Sequence, residues 1–196
     1  MKKWLLPLIL IAAIAFWAYS AGKGFYNDAI TKKEDATGQW ANVQSAYQRR
    51  ADLIPNIVAT VKGYAAHEKE TLEGVIKARA EATKTTINAG DLTPEKMAAF
   101  QKAQSGLAGA LSKLMVVVEK YPDLKANQNF LELQSQLEGT ENRINVERNR
   151  FNEKVKPYNK HIKTFPNNLF AGWFKFGEMS YFKGEKGSEK APKVEF

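Results

Sequence analysis

The chain contains no cysteine and only two histidines among its 196 residues. Without cysteine, the protein can form no disulfide, no thiolate metal site, no cysteine nucleophile and no lipid-modified N-terminal cysteine. The motif at His67 is not that of a zinc protease, because Thr71 stands where the second histidine is required. The sequence also has no glycine-rich phosphate loop after a strand, because it has no strand-like stretch. The sequence therefore predicts no catalytic residue, no metal site and no cofactor, and it indicates that the protein is not an enzyme.

A concentrated basic stripe is also missing, although the formal net charge is +8. The 29 lysines and arginines are spread along the whole chain. Nucleic-acid-binding proteins concentrate such residues on one surface, whereas a scattered excess suits solubility and loose attraction to anionic lipid. We therefore expect neither nucleic acid nor a small-molecule substrate as a partner.

One run without charge stands out near the N-terminus, from residue 4 to residue 22. A helix needs about 20 residues to cross roughly 30 Å of hydrocarbon. Trp4 lies at one end of the run, and Trp17 and Tyr19 lie near the other, as in an aromatic belt. We predict a retained membrane anchor over residues 1–24, because the run is longer than the core of a cleaved signal peptide.

Lysines flank this run on both sides. Lys2 and Lys3 favour a cytoplasmic N-terminus and an extracytoplasmic domain, whereas Lys23, Lys32 and Lys33 favour the reverse. We predict a single-pass protein of the bacterial cell membrane with its domain on the extracytoplasmic side.

Beyond residue 25, apolar residues recur at helical spacing. Thr93 and Pro94 have the pattern of a helix N-cap followed by its first residue. The last helix has a heptad line of core side chains that ends before Pro166: Phe130, Leu137, Ile144, Phe151, Tyr158 and Phe165. The predicted fold class is all-α, with the transmembrane helix followed by an antiparallel four-helix bundle over residues 25–165 and an aromatic segment and tail over residues 166–196.

Pro55 leaves two alternatives open for the first part of the bundle. The heptad phase continues through Pro55, which favours one long kinked helix over residues 27–88. Such a helix would measure roughly 90 Å and would expose Trp40, Val43 and Tyr47 unless a neighbouring chain covered them. We therefore expect the chain to fold back near Pro55 into helices of comparable length. In the alternative, a homo-oligomer covers the exposed stripe.

Arg50 and Glu147 each occupy a core position on their helices. A charge in such a position requires a partner of opposite sign. We predict that Arg50 and Glu147 form a buried ion pair across the bundle, which would fix the register of the two helices.

The last helix also carries a stripe of asparagines on the side away from its aromatic core line. Asparagine is a poor residue for an exposed helix surface, but its amide can hydrogen-bond to another protein or to a copy of itself. We predict a protein interface on this stripe, which consists of Asn142, Asn145, Asn149, Asn152 and Asn159.

The segment after Pro166 is dense in aromatic rings with lysines between them, and it includes Phe170, Trp173, Phe174 and Phe176. Such a segment either docks along the bundle or lies at a lipid surface. A chain that folds back at Pro55 returns it to the anchored end, whereas one long first helix would leave it at the far end. Beyond it, residues 184–192 have the composition of a flexible linker, and residues 194–196 could be captured as an apolar C-terminus.

Several stretches share the motifs of one known family. They read RRADLIPN (49–56), VKGY (61–64), HEKETL (67–72), VEKYPDLKAN (118–127), LEGTENRI (137–144), FPNNLFAG (165–172) and KAPKVEF (190–196). On these motifs the chain resembles the LemA family of bacterial membrane-anchored proteins. The resemblance implies a single-pass anchor, a mirror up-and-down four-helix bundle and no enzyme activity, because the family has no assigned reaction. Residues 83–103 match no family pattern, and we expect them to form a variable hairpin tip.

These features predict a non-enzymatic membrane protein whose helical domain is a protein-interaction or self-assembling scaffold at the bacterial cell envelope. The expected partners are the lipid bilayer, other membrane or envelope proteins and further copies of the chain. The anchor would raise the local concentration of the domain at the membrane. The alternative function is contact with lipid, or perturbation of it, through the aromatic segment.

Overall fold

The first helix is unbroken from the apolar N-terminal run into the domain core. The computed structural model describes residues 4–184. Helix α1 spans Leu5–Tyr64, which is 60 residues or about 90 Å. Large apolar side chains are exposed on its first turns, and burial begins at Gly22 and Phe25. Within the described part of the chain, α1 alone is long and apolar enough to cross a membrane, judged by length and composition.

Five further helices follow, and the described residues contain no strand, so the predicted all-α class is confirmed. The Thr93 side chain accepts a hydrogen bond from the backbone N–H of Lys96, as the sequence predicts for an N-cap. The helices are α2 (Lys69–Lys84), α3 (Pro94–Val118), α4 (Pro122–Lys125), α5 (Gln128–Lys163) and α6 (Asn167–Trp173). The predicted linker and captured C-terminus lie outside the described residues, apart from Gly184.

Helix α5 lies antiparallel to α1 along most of the domain. At the end far from the apolar run, Asn127 donates a 2.9 Å hydrogen bond to the Tyr64 hydroxyl. At the near end, the His161 ring stacks on Phe25 with centroids 5.0 Å apart. Helices α2 and α3 form a shorter hairpin, and α2 packs beside the distal half of α1. The chain therefore runs away from the apolar end along α1, returns along α2, runs away again along α3 and returns along α5.

The fold-back that we expected near Pro55 is wrong, because α1 continues through this residue. A proline has no N–H, so the carbonyl of Ala51, four residues earlier, loses its helical partner. In the structure, Nε of Arg79 on α2 donates a 2.7 Å hydrogen bond to this carbonyl oxygen. The neighbouring helix thus satisfies the acceptor that Pro55 leaves open.

The exposure that we expected for the apolar stripe of a long first helix is absent from the described residues 40–47, because the chain covers this stripe itself. Trp40, Val43 and Tyr47 are buried without a neighbouring chain. Their cover is α5, the loop after α2 and the extended segment after α6. Residues 83–103 contain the connection between α2 and α3, as expected of a hairpin tip, and they also supply Ile87, Leu92, Met97 and Phe100 to this core.

The aromatic segment returns to the apolar end of α1, although the first helix is long. A Cβ placed on Gly22 would lie 3.5 Å from Cε1 of Phe170. The expectation that a long first helix would send this segment to the far end is therefore wrong. The α2–α3 hairpin adds two antiparallel helices beside the distal half of α1, so α5 still runs back toward the apolar end.

Candidate interaction surfaces

Arg50 is buried, with 2% of its surface exposed, at the middle of the domain. Its Nη1 lies 2.7 Å from Oε2 of Glu141, and its Nη2 donates to Oε1 of Gln104 at 2.8 Å. Gln104 is itself buried, and its amide donates to the carbonyl of Ala82 near the end of α2. Arg50 thus joins α5 to the α2–α3 hairpin, while its Nε has no hydrogen-bond partner among the described residues.

Glu147 is 1% exposed and has a different set of partners. Its carboxylate accepts a 2.6 Å hydrogen bond from the Gln39 amide on α1. Arg143 and Arg150, on the same helix, approach it at 2.6 and 3.3 Å. The carboxylate is therefore held by one amide across the helix pair and by two largely exposed guanidinium groups.

The structure does not bring Arg50 and Glu147 together as the predicted ion pair. In the antiparallel α1–α5 pair, Arg50 lies level with Glu141, and Glu147 lies level with Gln39. Glu141 and Glu147 are six residues apart, or about 9 Å along the helix. Both residues have core positions, but heptad phase alone does not give the register between two helices.

Two asparagines of the predicted interface hold an extended segment of their own chain. Asn159 donates to the Met179 carbonyl at 2.8 Å and accepts from the Met179 N–H at 3.0 Å. Asn152 forms the same pair of bonds with Phe182, at 3.0 and 2.9 Å. The two asparagines are seven residues apart, or about 10.5 Å on a helix, which matches three residues of extended chain. We name residues 176–183 the docked strand; it is extended chain held by side chains and is not a β-strand.

Further contacts fasten the docked strand at both ends. The Tyr158 hydroxyl donates a 2.8 Å hydrogen bond to the Gly177 carbonyl, and burial raises the pKa of this phenol. Arg148 donates to the Lys183 carbonyl at 3.1 Å and lies over the Phe182 ring. Phe182 in turn stacks on Trp40 with centroids 5.8 Å apart. The inward-facing side chains of the strand therefore belong to the core, while the others reach solvent.

The remaining asparagines, Asn142, Asn145 and Asn149, are exposed. Asn145 and Asn149 lie beside an open groove of about 870 Å³ between α3 and α5. Small residues line the α3 side of this groove, which we name the α3–α5 groove: Ala98, Ser105, Ala108, Gly109 and Ser112. Its rim carries Lys102, Glu141, Arg148 and Lys183, and Arg50 lies at its floor.

Aromatic residues meet at the apolar end of the domain. Phe25 contacts the rings of Phe170, Phe174 and Phe176, with centroids between 5.7 and 6.3 Å apart. Trp173 points outward and is exposed. The predicted belt residues Trp4, Trp17 and Tyr19 are exposed along the first turns of α1.

A comparison of the chain with models of protein families agrees with the motifs seen in the sequence. The sequence model of the LemA family matches residues 39–196 of this chain. The chain belongs to the LemA family. It is 29% identical over 174 residues to magnetosome protein MamQ of Magnetospirillum gryphiswaldense, an alignment that covers 80% of this chain and 64% of that protein.

Other relatives of this LemA-family chain align over more of their own length. Magnetosome protein MamQ 2 of Paramagnetospirillum magneticum is 26% identical over 207 residues, covering 96% of this chain and 74% of the relative. Protein LemA of Metamycoplasma hominis is 25% identical over 168 residues, covering 85% and 71%. The chain thus spans slightly less than two thirds of the first MamQ and somewhat more of the others.

Acidic and histidine side chains are dispersed in this LemA-family protein. Residues 4–184 contain no group of three or more His, Asp or Glu side chains that could hold a metal ion. His161 packs between Phe25 and Asn167, whose amide lies 3.3 Å from its Nδ1. Tyr121 has a raised pKa because it loses solvation and lies beside Glu68, to which it donates a 3.3 Å hydrogen bond. These groups have evident roles in packing.

Proposed function

We propose that this LemA-family protein is a non-enzymatic, single-pass membrane protein whose helical domain is a scaffold for other proteins at the bacterial cell envelope. The observation that carries the proposal is the continuity of α1. The exposed apolar turns near the N-terminus and the buried turns of the domain belong to one helix without a loop between them. A rigid connection of this kind would hold the domain at a set angle to a bilayer, with a reach of tens of ångströms.

The antiparallel four-helix bundle is part of this proposal. In its support, the distal cluster contains side chains from α1, α2, α3 and α5, such as Ile57, Val75, Leu114 and Phe130. The proximal half is built differently, because there the docked strand packs against α1, α5 and the connecting end of the α2–α3 hairpin.

We place the protein-contact surface at the α3–α5 groove. Small residues on α3 let another backbone approach closely, and Asn145 and Asn149 have amides free of the docked strand for hydrogen bonding. The partners proposed are other membrane or envelope proteins and a second copy of this chain. The domain is placed on the extracytoplasmic side, following the charges at Lys2 and Lys3.

Site-specific cross-linking in membranes tests this surface, because the chain has no cysteine of its own. A photo-reactive group would be attached to Ser105→Cys in the groove and, as the matched control, to Lys77→Cys on the exposed side of α2. We expect a discrete adduct from position 105 that is absent from position 77. Equal or absent adducts at both positions would contradict the groove, and recovery of the intact chain from a carbonate-washed soluble fraction would contradict the anchor.

A second candidate function is contact with the lipid surface through the aromatic segment. It is favoured by one observation, the outward-facing apolar side chains of α6.

A further inference from the structure

Helix α6 turns large apolar side chains away from the protein. Phe165, Leu169 and Trp173 are 77%, 63% and 79% exposed. Leu169 and Trp173 are four residues apart and therefore lie on one side of this short helix, and Phe165 lies in the turn before it. On the opposite side Ala171 is buried, and Phe170 packs against Phe25. We name the three exposed residues the α6 face.

The α6 face lies at the level where α1 changes from a helix exposed on all sides to one that is partly buried. Phe170, on the inner side of α6, contacts α1 at Gly22. Exposed aromatic and aliphatic side chains cover α1 up to Tyr19, and buried positions begin at Gly22. If the first turns of α1 cross a bilayer, the edge of that bilayer lies beside α6. The apolar surface of the α6 face then continues that of the span.

Positively charged side chains are exposed at the same end of the domain as the α6 face. Lys23, Lys160 and Lys175 are exposed at this end of the domain. The acidic groups nearby are engaged, since Glu178 lies 2.6 Å from Lys163 and Asp28 lies 3.9 Å from Lys32. Apolar side chains accompanied by lysines are the composition that anionic lipid headgroups attract.

We propose that the α6 face inserts into the boundary between headgroups and acyl chains of an anionic bilayer. The inference rests on the proposed membrane anchor, and it adds a second point of attachment. One helix through a bilayer leaves the domain free to rotate about the axis of that helix. A second apolar contact beside the helix removes this rotation and fixes which side of the domain faces the membrane.

The test uses the full chain in vesicles of phosphatidylcholine and phosphatidylglycerol. A single environment-sensitive fluorophore is attached to Leu169→Cys, with Ile76→Cys as the control, because Ile76 is an exposed apolar residue on the distal hairpin. We expect a blue shift at position 169 and loss of most of its emission when the vesicles carry lipids spin-labelled near the headgroup. The probe at position 76 should keep the emission of a water-exposed dye.

The outcomes separate the inference from the function on which it rests. A chain that resists carbonate extraction but whose probe at position 169 matches that at position 76 would overturn the inference and leave the anchor standing. Energy transfer between copies labelled at position 169, without quenching by labelled lipid, would assign the α6 face to a second copy and also overturn it. Equal quenching in pure phosphatidylcholine vesicles would overturn the requirement for anionic lipid. Extraction of the whole chain by carbonate would overturn the anchor itself.

Discussion

Each buried charged residue in this protein has its own set of hydrogen-bond partners, although Nε of Arg50 has none among the described residues. Arg50 is held by Glu141 and Gln104, and Glu147 by Gln39 and two arginines. Each buried charge keeps at least one partner that reaches solvent, since the side chain of Glu141 is 45% exposed and that of Arg143 is 66% exposed. This arrangement lowers the cost of burial, because the partner retains part of its hydration.

The substitution Glu147→Ala tests this account for the carboxylate. Loss of the acceptor leaves the Gln39 amide without its 2.6 Å partner and opens a small cavity in the helix pair. We expect the free energy of unfolding to fall by about 2 kcal/mol in urea titrations followed by circular dichroism. The control Glu153→Ala, an exposed carboxylate on the same helix, should change it by less than about 0.5 kcal/mol. Equal effects would show that the burial of Glu147 has no energetic consequence.

Tyr158 predicts a dependence of stability on alkaline pH. Burial raises the pKa of this phenol above its ordinary value of 10.0, so the folded state favours the neutral form. Its stabilising contribution is complete below pH 10 and is lost as the pH rises beyond that value. We expect Tyr158→Phe to cost about 1 kcal/mol at neutral pH through loss of the bond to Gly177.

A comparison of the wild type with Tyr158→Phe at alkaline pH tests this role of Tyr158. Above pH 10 the unfolding free energy of the wild type should fall more steeply than that of Tyr158→Phe, so the difference between them should narrow. Chemical denaturation at a series of pH values measures both curves. Parallel curves would contradict the assigned role.

At the scale of elements, α1 survives a proline because another helix supplies a donor. The Arg79 guanidinium bonds to the Ala51 carbonyl that Pro55 leaves without its helical N–H. The continuity of α1 through Pro55 therefore depends on its contact with α2.

A double-mutant cycle tests this dependence. Arg79→Ala should lower the free energy of unfolding by about 1–2 kcal/mol, because the Ala51 carbonyl then lacks a partner. In a Pro55→Ala background the new N–H restores that partner, so the same substitution should cost about 1 kcal/mol less. Urea titration of the four proteins gives the coupling, and Lys77→Ala is the control on α2. Additive effects would rule out this compensation.

The docked strand gives a prediction about local opening. Asn159→Ala removes both bonds to Met179, so hydrogen exchange in residues 176–183 should accelerate, and stability should fall by about 1–3 kcal/mol. Asn149→Ala, an exposed asparagine on the same helix, should leave exchange unchanged. Hydrogen exchange followed by mass spectrometry measures both variants. Unaltered protection in the Asn159 variant would mean that the strand is held by its apolar side chains alone.

At the scale of the whole molecule, the unbroken α1 sets the length of the protein. Gly24 and Gly63 are both exposed, and a side chain added at either meets nothing within 4 Å. Probes on cysteines at these positions should be about 58 Å apart along a continuous helix, against about 35 Å for a chain that folds back near Pro55. Single-molecule energy transfer or pulsed electron spin resonance separates the two values. The pair at Gly24 and Gly172 should give a short distance in either case and serves as the control.

One residue of the predicted core line, Phe165, lies beyond the end of α5 and is 77% exposed. The sequence alone correctly predicts the all-α class, the apolar first helix, the N-cap at Thr93, the family, and the core line of α5 as far as Tyr158. These properties depend on periodicity and local chemistry, which neighbouring residues along the chain carry. It also indicated that Arg50 and Glu147 are core residues, and both are buried.

The partners of these groups follow from tertiary packing. The Arg50–Glu141 pair, the bond from Arg79 that supports Pro55, and the capture of the docked strand by Asn152 and Asn159 all join residues far apart in sequence. Helical periodicity predicts which side of a helix is buried, but it does not contain the axial offset between two helices. It also does not show that an extended C-terminal segment will cover the proximal half of α1. Those features arise from packing, in which nearly all buried donors and acceptors find partners in the one arrangement that fills the core.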